Sequence, residues 1–413
     1  MTTESVVIVG AGQSGGRAAA LLRQEGFEGA ITLIGAETHA PYERPPLSKA
    51  VLKGEKEPES CFLYDSAFYQ ENRIDLKLGA SVGAIDATTK TVTLADGETL
   101  SFGALIIATG GIVKTLPLPG SDLPGVHVVR TIDDSLALQK DLSPSARVAV
   151  IGGGFIGLET AASARQMGCD VTVLEGAPRI LGRSVPEEVA AAVTRLHTDH
   201  GVDIRLNVRI AGFEEKDGRI GGVRFTDDTV LESDAVVIGI GIAPDIALAT
   251  AAGIECDDGI LVNQFGETNL PGIYATGDCA RGFNPRYGES IRLESWQNAD
   301  MQARTVARAI CGNPSAYEPV PWLWSDQYDW TLQTAGFPGW GDTVVARGTY
   351  DDGAITFFSL KGDTLVGVAG FGPASSIAKD VRSAQMMMER GVNPSAESLA
   401  DASIPIRKLM KGG

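Results

Sequence analysis

The chain has 413 residues, of which 44% are hydrophobic and 50 are glycine, and its formal net charge is −17. That length gives room for two to four domains with ample core, and a glycine-punctuated apolar composition excludes a disordered chain. The charge sets aside nucleic acid and anionic membrane as main partners. No segment is apolar for long enough to span a bilayer, and the short run Val6–Val9 lacks the basic leader of a signal peptide, so the cytoplasm is the expected location.

Taken in order, the first element is the apolar run Val6-Val-Ile-Val9. It leads into Gly10-Ala-Gly12-Gln-Ser14-Gly15, an alanine-rich helix to about Glu25, and a second strand, Ile31–Ile34. Strand, glycine turn and helix form a phosphate cradle. The glycines allow a tight turn and close backbone approach, and the new helix offers free N–H groups and the positive end of its dipole. The position where a ribose-binding acid is expected holds Gly35, and the nearest acid is Glu37.

A proline-rich loop follows, Glu43-Arg44-Pro-Pro-Leu-Ser48-Lys49, which cannot be helix interior. The five cysteines, Cys61, Cys169, Cys256, Cys279 and Cys311, form no close pair. They suggest neither a redox dithiol nor a metal site, and each is expected to be a small buried apolar residue. Thr91–Phe102 reads as a hairpin turning at Asp96-Gly97. Leu105-Ile-Ile-Ala108-Thr109-Gly110-Gly111 reads as a buried strand ending at small residues, where backbone must approach something closely.

The cradle then recurs in fuller form. Val148–Ile151 runs into Gly152-Gly-Gly154-Phe155-Ile156-Gly157-Leu-Glu159, then a helix and the strand Asp170–Leu174, which ends in Glu175. A carboxylate at that place accepts hydrogen bonds from an adenosine ribose and repels a 2′-phosphate, so NADH is expected over NADPH. Arg179 and Arg183, further along, are candidates for pyrophosphate or ribose contact, with plain surface charge as the alternative. The unit closes with Ala235–Gly241, a strand of the same kind as Leu105–Gly111. Two cradles in one chain imply two dinucleotides, most economically one bound flavin and one exchanging nicotinamide. Downstream, Thr276-Gly277-Asp278-Cys-Ala280 reads as a glycine turn with an acid at a helix start, placed to accept from a sugar hydroxyl or simply to cap the helix. From about residue 320 the texture changes to aromatics and alternating strands, followed by the helix-like stretch Ser375–Glu389. The four histidines, His39, His127, His197 and His200, fit no triad or metal spacing.

The fold class expected is therefore α/β: two Rossmann-type, disulfide-reductase-like dinucleotide-binding domains plus a C-terminal α+β domain. The division is 1–110 with 241–319, 111–240 inserted between them, and 320–413.

Gly10–Gly15, Arg44–Lys49, Ala108–Gly111, Gly152–Glu159, Thr276–Ala280 and Trp322-Leu-Trp-Ser-Asp-Gln-Tyr328 together carry a resemblance. They resemble the FAD-dependent NADH:ferredoxin reductases of cytochrome P450 and ring-hydroxylating oxygenase systems over essentially the whole chain. The resemblance implies FAD on the discontinuous first domain, NADH on the second and a 2Fe-2S ferredoxin as electron acceptor, in a monomer or weak homodimer. It places Gly10, Gly12, Ser14 and Gly15 on the FAD pyrophosphate and Glu37 near its ribose. Arg44, Lys49, Val82, Ala108, Thr109, Gly110 and Arg130 lie around the cofactor. Asp278 is on the ribityl chain and Trp296 by the ring. NADH falls to Gly152, Gly154, Phe155, Ile156, Gly157, Glu159, Glu175, Arg183 and Gly241. Glu159 is expected to face the nicotinamide with Lys49 as its cation, and a helix-start acid complementing the dipole is the alternative.

Arg304 and Arg308, at i, i+4 spacing on the helix after Trp296, are the candidate ferredoxin-docking residues, set against the exposed helix face such charges usually mark. Arg407, Lys408 and Lys411 form a second basic cluster. Two rivals remain on sequence alone: a flavin NADH oxidase or disulfide reductase, whose thiol versions the cysteine-free loop disfavours, and a non-enzymatic NADH-sensing flavoprotein.

Overall fold

The computed structural model describes residues 4–410, so Lys411 of the basic tail lies outside the described residues. The chain divides into two compact units. One comprises Met1–Arg44, Pro58–Ile112 and Ile242–Pro319, and the other Pro45–Glu57, Val113–Gly241 and Val320–Gly413.

The first unit is built on a five-stranded sheet in the order Ile273–Ala275, Ala104–Ile107, Ser5–Val9, Ala30–Gly35, Ile74–Leu78, with every pair parallel. Its central strands are almost wholly apolar because both faces are covered, which is the pattern a parallel sheet requires. One face packs on the helix Gln13–Gln24, whose Ala18, Ala19 and Leu22 meet Ala303, Val306 and Ala307 of the helix Trp296–Ile310. Strand order reverses on either side of Ser5–Val9. The crevice beyond the carboxyl ends of the strands is therefore where a dinucleotide belongs. The expected hairpin is present within a three-stranded antiparallel sheet, Val82–Asp86, Thr91–Leu94 and Thr99–Ser101. Its turn is fixed by the Asp96 carboxylate accepting from the Glu98 amide.

The second unit repeats the design with Asp203–Arg205, Asp170–Leu174, Arg147–Ile151, Ala235–Ile238 and Val126–His127, again all parallel. It also holds a five-stranded antiparallel sheet in the order Trp322–Gln327, Trp330–Gly336, Thr364–Gly372, Ala354–Lys361, Thr343–Thr349. The helix Ala374–Arg390 covers one face of that sheet through Val381, Ala384 and Met387, which pack with Phe358 and Val368. On the other face Leu332, Phe357 and Phe371 meet Val189 and Val193 of the helix Glu187–Asp199. The mixed α/β architecture expected from sequence is thus what the chain forms.

Candidate functional site

Both cradles close in the same way. Gly10 at φ +109° and Gly152 at φ +104° hold the left-handed backbone that the turn needs, and a Cβ there would lie 2.2 Å from Ala108 O and 2.5 Å from Gly239 O. A Cβ on Gly15 would lie 1.9 Å from Gly10 O, and one on Gly157 2.0 Å from Gly152 O, so helix and strand touch backbone to backbone. Beside Gly12 and Gly154 the nearest protein atom to such a Cβ is 4.0 Å away, leaving open space at the helix start. Both helices are N-capped by these glycines with no side-chain cap. Their first-turn amides therefore have no intrahelical acceptor and face the open side, which is an anion site. A dinucleotide pyrophosphate fits each.

In the first unit, Ser14 donates its hydroxyl proton to Ala299 O at 2.9 Å and accepts from Thr276 Oγ1 at 2.9 Å, so its backbone amide, not its hydroxyl, remains for phosphate. Glu37 follows the strand Ala30–Gly35. It accepts from Arg44 Nη2 at 2.9 Å and from the Tyr42 hydroxyl at 2.5 Å, so two of the expected residues form one ion pair. Thr109 donates to Asp245 O at 2.7 Å, Gly110 adopts φ +71°, and Ala108 is buried at the strand end. Val82 opens its strand and packs against the core under the sheet. Asp278 does not start a helix as expected. It precedes the strand Ala280–Asn284, which pairs with Ile260–Val262, and Gly277 is held by its amide donating to Gln302 Oε1 at 2.8 Å. Trp296 opens its helix and is half-buried, with its carbonyl accepting from Gln13 Nε2 at 3.1 Å. Arg304 is exposed, whereas Arg308 turns toward the first helix, its Nε 4.0 Å from Glu25 Oε2.

In the second unit, Glu175 accepts from Gly153 N at 2.7 Å and Ala177 N at 2.8 Å, pinning the carboxylate beside the glycine turn. Phe155 and Ile156 form the first turn of the helix Phe155–Gln166, and Ile156 is 44% exposed. Arg183 is exposed and reaches toward Gly241, its Nη2 3.9 Å from where a Gly241 Cβ would sit. Arg179 instead spends its guanidinium on Val185 O and Gly182 O. The Arg130 amide donates to Asp134 Oδ2 at 3.1 Å, at the start of the helix Ile132–Asp141.

The densest chemistry lies at Glu159. Its side chain is buried, and it accepts from Lys49 Nζ at 2.8 Å, Ser48 Oγ at 2.5 Å and Ser325 Oγ at 2.7 Å. A buried carboxylate is tolerated only when paired and hydrogen-bonded, and this one is both. Ser48 and Ser325 lie in the Arg44–Lys49 and Trp322–Tyr328 stretches but were not among the candidate site residues; the signal for Ser325 was its alternation with Gln327 on one face of an aromatic strand. Of the cysteines, Cys61, Cys169 and Cys279 are buried as expected, while Cys256 and Cys311 are half-buried; all five are free thiols.

Residues 4–303 match the family described as pyridine nucleotide-disulphide oxidoreductase, and residues 322–410 match a reductase C-terminal domain. The chain belongs to the pyridine nucleotide-disulphide oxidoreductase family. It is an oxidoreductase that binds FAD and NAD(H). It is 40% identical to the ferredoxin–NAD(+) reductase component of an anthranilate 1,2-dioxygenase system from Burkholderia cepacia, over 99% of this chain and 100% of that one. It is 42% identical to rhodocoxin reductase of Rhodococcus erythropolis, over 88% of this chain and 85% of the relative. A solved covalent putidaredoxin reductase–putidaredoxin complex aligns with a TM-score of 0.95 at 35% identity, covering 100% of this chain and 99% of that one.

Proposed function

We propose that this protein passes electrons from NADH through FAD to a 2Fe-2S ferredoxin that feeds a cytochrome P450 or ring-hydroxylating oxygenase. The observation that carries the reading is the Arg44–Lys49 loop. In a family named for disulfides it holds no thiol, and Ser48 and Lys49 are spent on the carboxylate of Glu159. FAD, when bound, accepts a hydride from NADH and releases the electrons one at a time.

The division proposed is FAD on 1–110 and 241–319, NADH on 111–240, and a C-terminal domain from 320. The orphan amides after Gly12 and Gly154 bind the two pyrophosphates, with Glu37 and Arg44 flanking the FAD ribose and Asp278 taking the ribityl hydroxyls. Val82, Ala108, Thr109, Gly110, Arg130 and Trp296 line the flavin. Glu175 orients the NADH ribose, Arg183 and Gly241 border the nucleotide, and Glu159, neutralised by Lys49, meets the nicotinamide. Arg304, the exposed cation of its helix, leads a local ferredoxin-docking face with Arg308 behind it. With both partners acidic, short-range contacts carry specificity there. A cytoplasmic monomer or weak homodimer is the form proposed; among the described residues no helix is long and apolar enough to cross a membrane.

Anaerobic stopped-flow reduction by NADH, followed by cytochrome c reduction with and without 2Fe-2S ferredoxins, tests the reading. Rapid flavin bleaching and ferredoxin-dependent cytochrome reduction are expected. Turnover to peroxide or of disulfides, indifferent to ferredoxin, would move the protein to the oxidase or disulfide-reductase branch.

A further inference from the structure

Glu159 is the first member of a longer buried chain. The strand Trp322–Gln327 alternates its side chains, so Ser325 and Gln327 share a face, and both are fully buried. Gln327 Nε2 lies 3.1 Å from Ser325 Oγ, and Gln327 Oε1 lies 2.9 Å from Nε2 of His197, itself fully buried on the helix Glu187–Asp199.

The charge at Glu159 dictates the direction of every link. A carboxylate only accepts, so the single hydroxyl proton of Ser325 goes to Glu159 Oε1 at 2.7 Å. Ser325 Oγ must then accept, which turns the amide nitrogen of Gln327 toward it and the amide oxygen toward His197. An amide oxygen also only accepts, so His197 carries its proton on Nε2. Its Nδ1 is left as a bare buried lone pair with no partner, the less costly orphan for a neutral ring. Burial holds the His197 imidazole down to about 4, which keeps a second cation out of the chain at neutral pH.

We propose that Ser325, Gln327 and His197 are positioning residues: a directional hydrogen-bond chain that fixes the Glu159 carboxylate for the nicotinamide end of NADH. All three act through Glu159, to which Ser325 donates directly. Helix Phe155–Gln166, strand Trp322–Gln327 and helix Glu187–Asp199 are thereby tied to one orientation of one carboxylate. The inference rests on the reading of Glu159 as a nicotinamide-facing group.

The test has two arms on the FAD-loaded protein. The first is proton-detected NMR of wild type with 15N-labelled histidine, where only four residues contribute. A neutral Nε2–H tautomer for His197 at pH 7 is expected, and an Nδ1–H tautomer or an imidazolium overturns the chain's direction without any variant. The second is NAD+ affinity by calorimetry and the limiting rate of flavin reduction for Ser325→Ala, Gln327→Met, the double variant and Ser325→Thr. Each single change should weaken NAD+ about tenfold, the double no more than Ser325→Ala alone, and Ser325→Thr should remain near wild type. Equal affinities across the set, or losses that simply add, overturn the inference. If wild type itself fails to bind NAD+, the functional reading falls first, and the NMR result still stands on its own.

Discussion

With Glu175 orienting the NADH ribose as proposed, NADPH would put its 2′-phosphate where that carboxylate is pinned. Its two oxygens are held by Gly153 N and Ala177 N at 2.7 and 2.8 Å, so the carboxylate cannot swing aside without giving up both amides. Arg179, the next cation along the chain, offers no compensation, because it is committed to Val185 O and Gly182 O. A charge pair at ~5 Å with an effective dielectric of ~20 costs about 3 kcal/mol per unit charge. Partial exposure and salt reduce that to about 2 kcal/mol, and one lost ribose hydrogen bond adds about 1 kcal/mol. The sum is about a hundredfold preference in kcat/KM for NADH. Glu175→Gln keeps the shape and one acceptor but removes the charge, so the preference should fall by about thirtyfold, the share of the electrostatic part. Ferricyanide reduction with each coenzyme measures both ratios. A wild-type preference under about tenfold, or one that Glu175→Gln leaves unchanged, would refute the reasoning.

Glu159→Gln leaves the half-buried Lys49 without its carboxylate; flavin reduction by NADH should slow at least about tenfold with FAD content intact, and an unchanged rate in rapid mixing removes Glu159 from the site. His197 titrates near 4 folded against 6.5 in the unfolded chain, so the unfolded state takes up the extra proton as pH falls. The stability from burying it neutral is complete above 6.5 and is lost toward 4, by about 3 kcal/mol at most. Urea midpoints should therefore drop more steeply from pH 6.5 to 4.5 in wild type than in His197→Phe, and parallel curves would count against it. Arg304→Glu should raise the KM for ferredoxin and recover with salt while ferricyanide turnover holds, whereas Arg308→Glu, set against Glu25, should mainly lower the melting temperature.

The twin cradles were legible because their requirements are local. Gly10, Gly15, Gly152 and Gly157 each stand where a Cβ would strike backbone within a few residues or across one strand. Glu175 was legible for the same reason, as it closes the strand beside the turn. What was hidden depends on distance along the chain. Thr276–Ala280 has the local look of a capped helix, but residues after Asp278 are drawn into a strand by pairing with Ile260–Val262, which outweighs local preference. The i, i+4 spacing put Arg304 and Arg308 on one face, yet could not say that the helix Gln13–Gln24 brings Glu25 up to the second of them. Ser325 meets Glu159 across 166 residues, and His197 meets Gln327 across 130. No periodicity records such meetings.

The arrangement at Ser48 explains how a disulfide-reductase fold can work without its sulfur. Ser48 lies in the short 3-10 turn Pro45–Ser48, and its hydroxyl donates to a carboxylate that Lys49, the next residue, already neutralises. A thiol in that place would face the carboxylate directly, which favours its protonated, unreactive form. Lys49 could not relieve this, because its ammonium is divided between Glu159 and Pro45 O at 3.1 Å. Dithiol chemistry and a half-buried Lys49–Glu159 pair therefore compete for the same few atoms, and this chain has taken the pair. With no thiol in this loop, an FAD held here would pass its electrons to the acceptor directly, which is compatible with the one-electron carrier proposed.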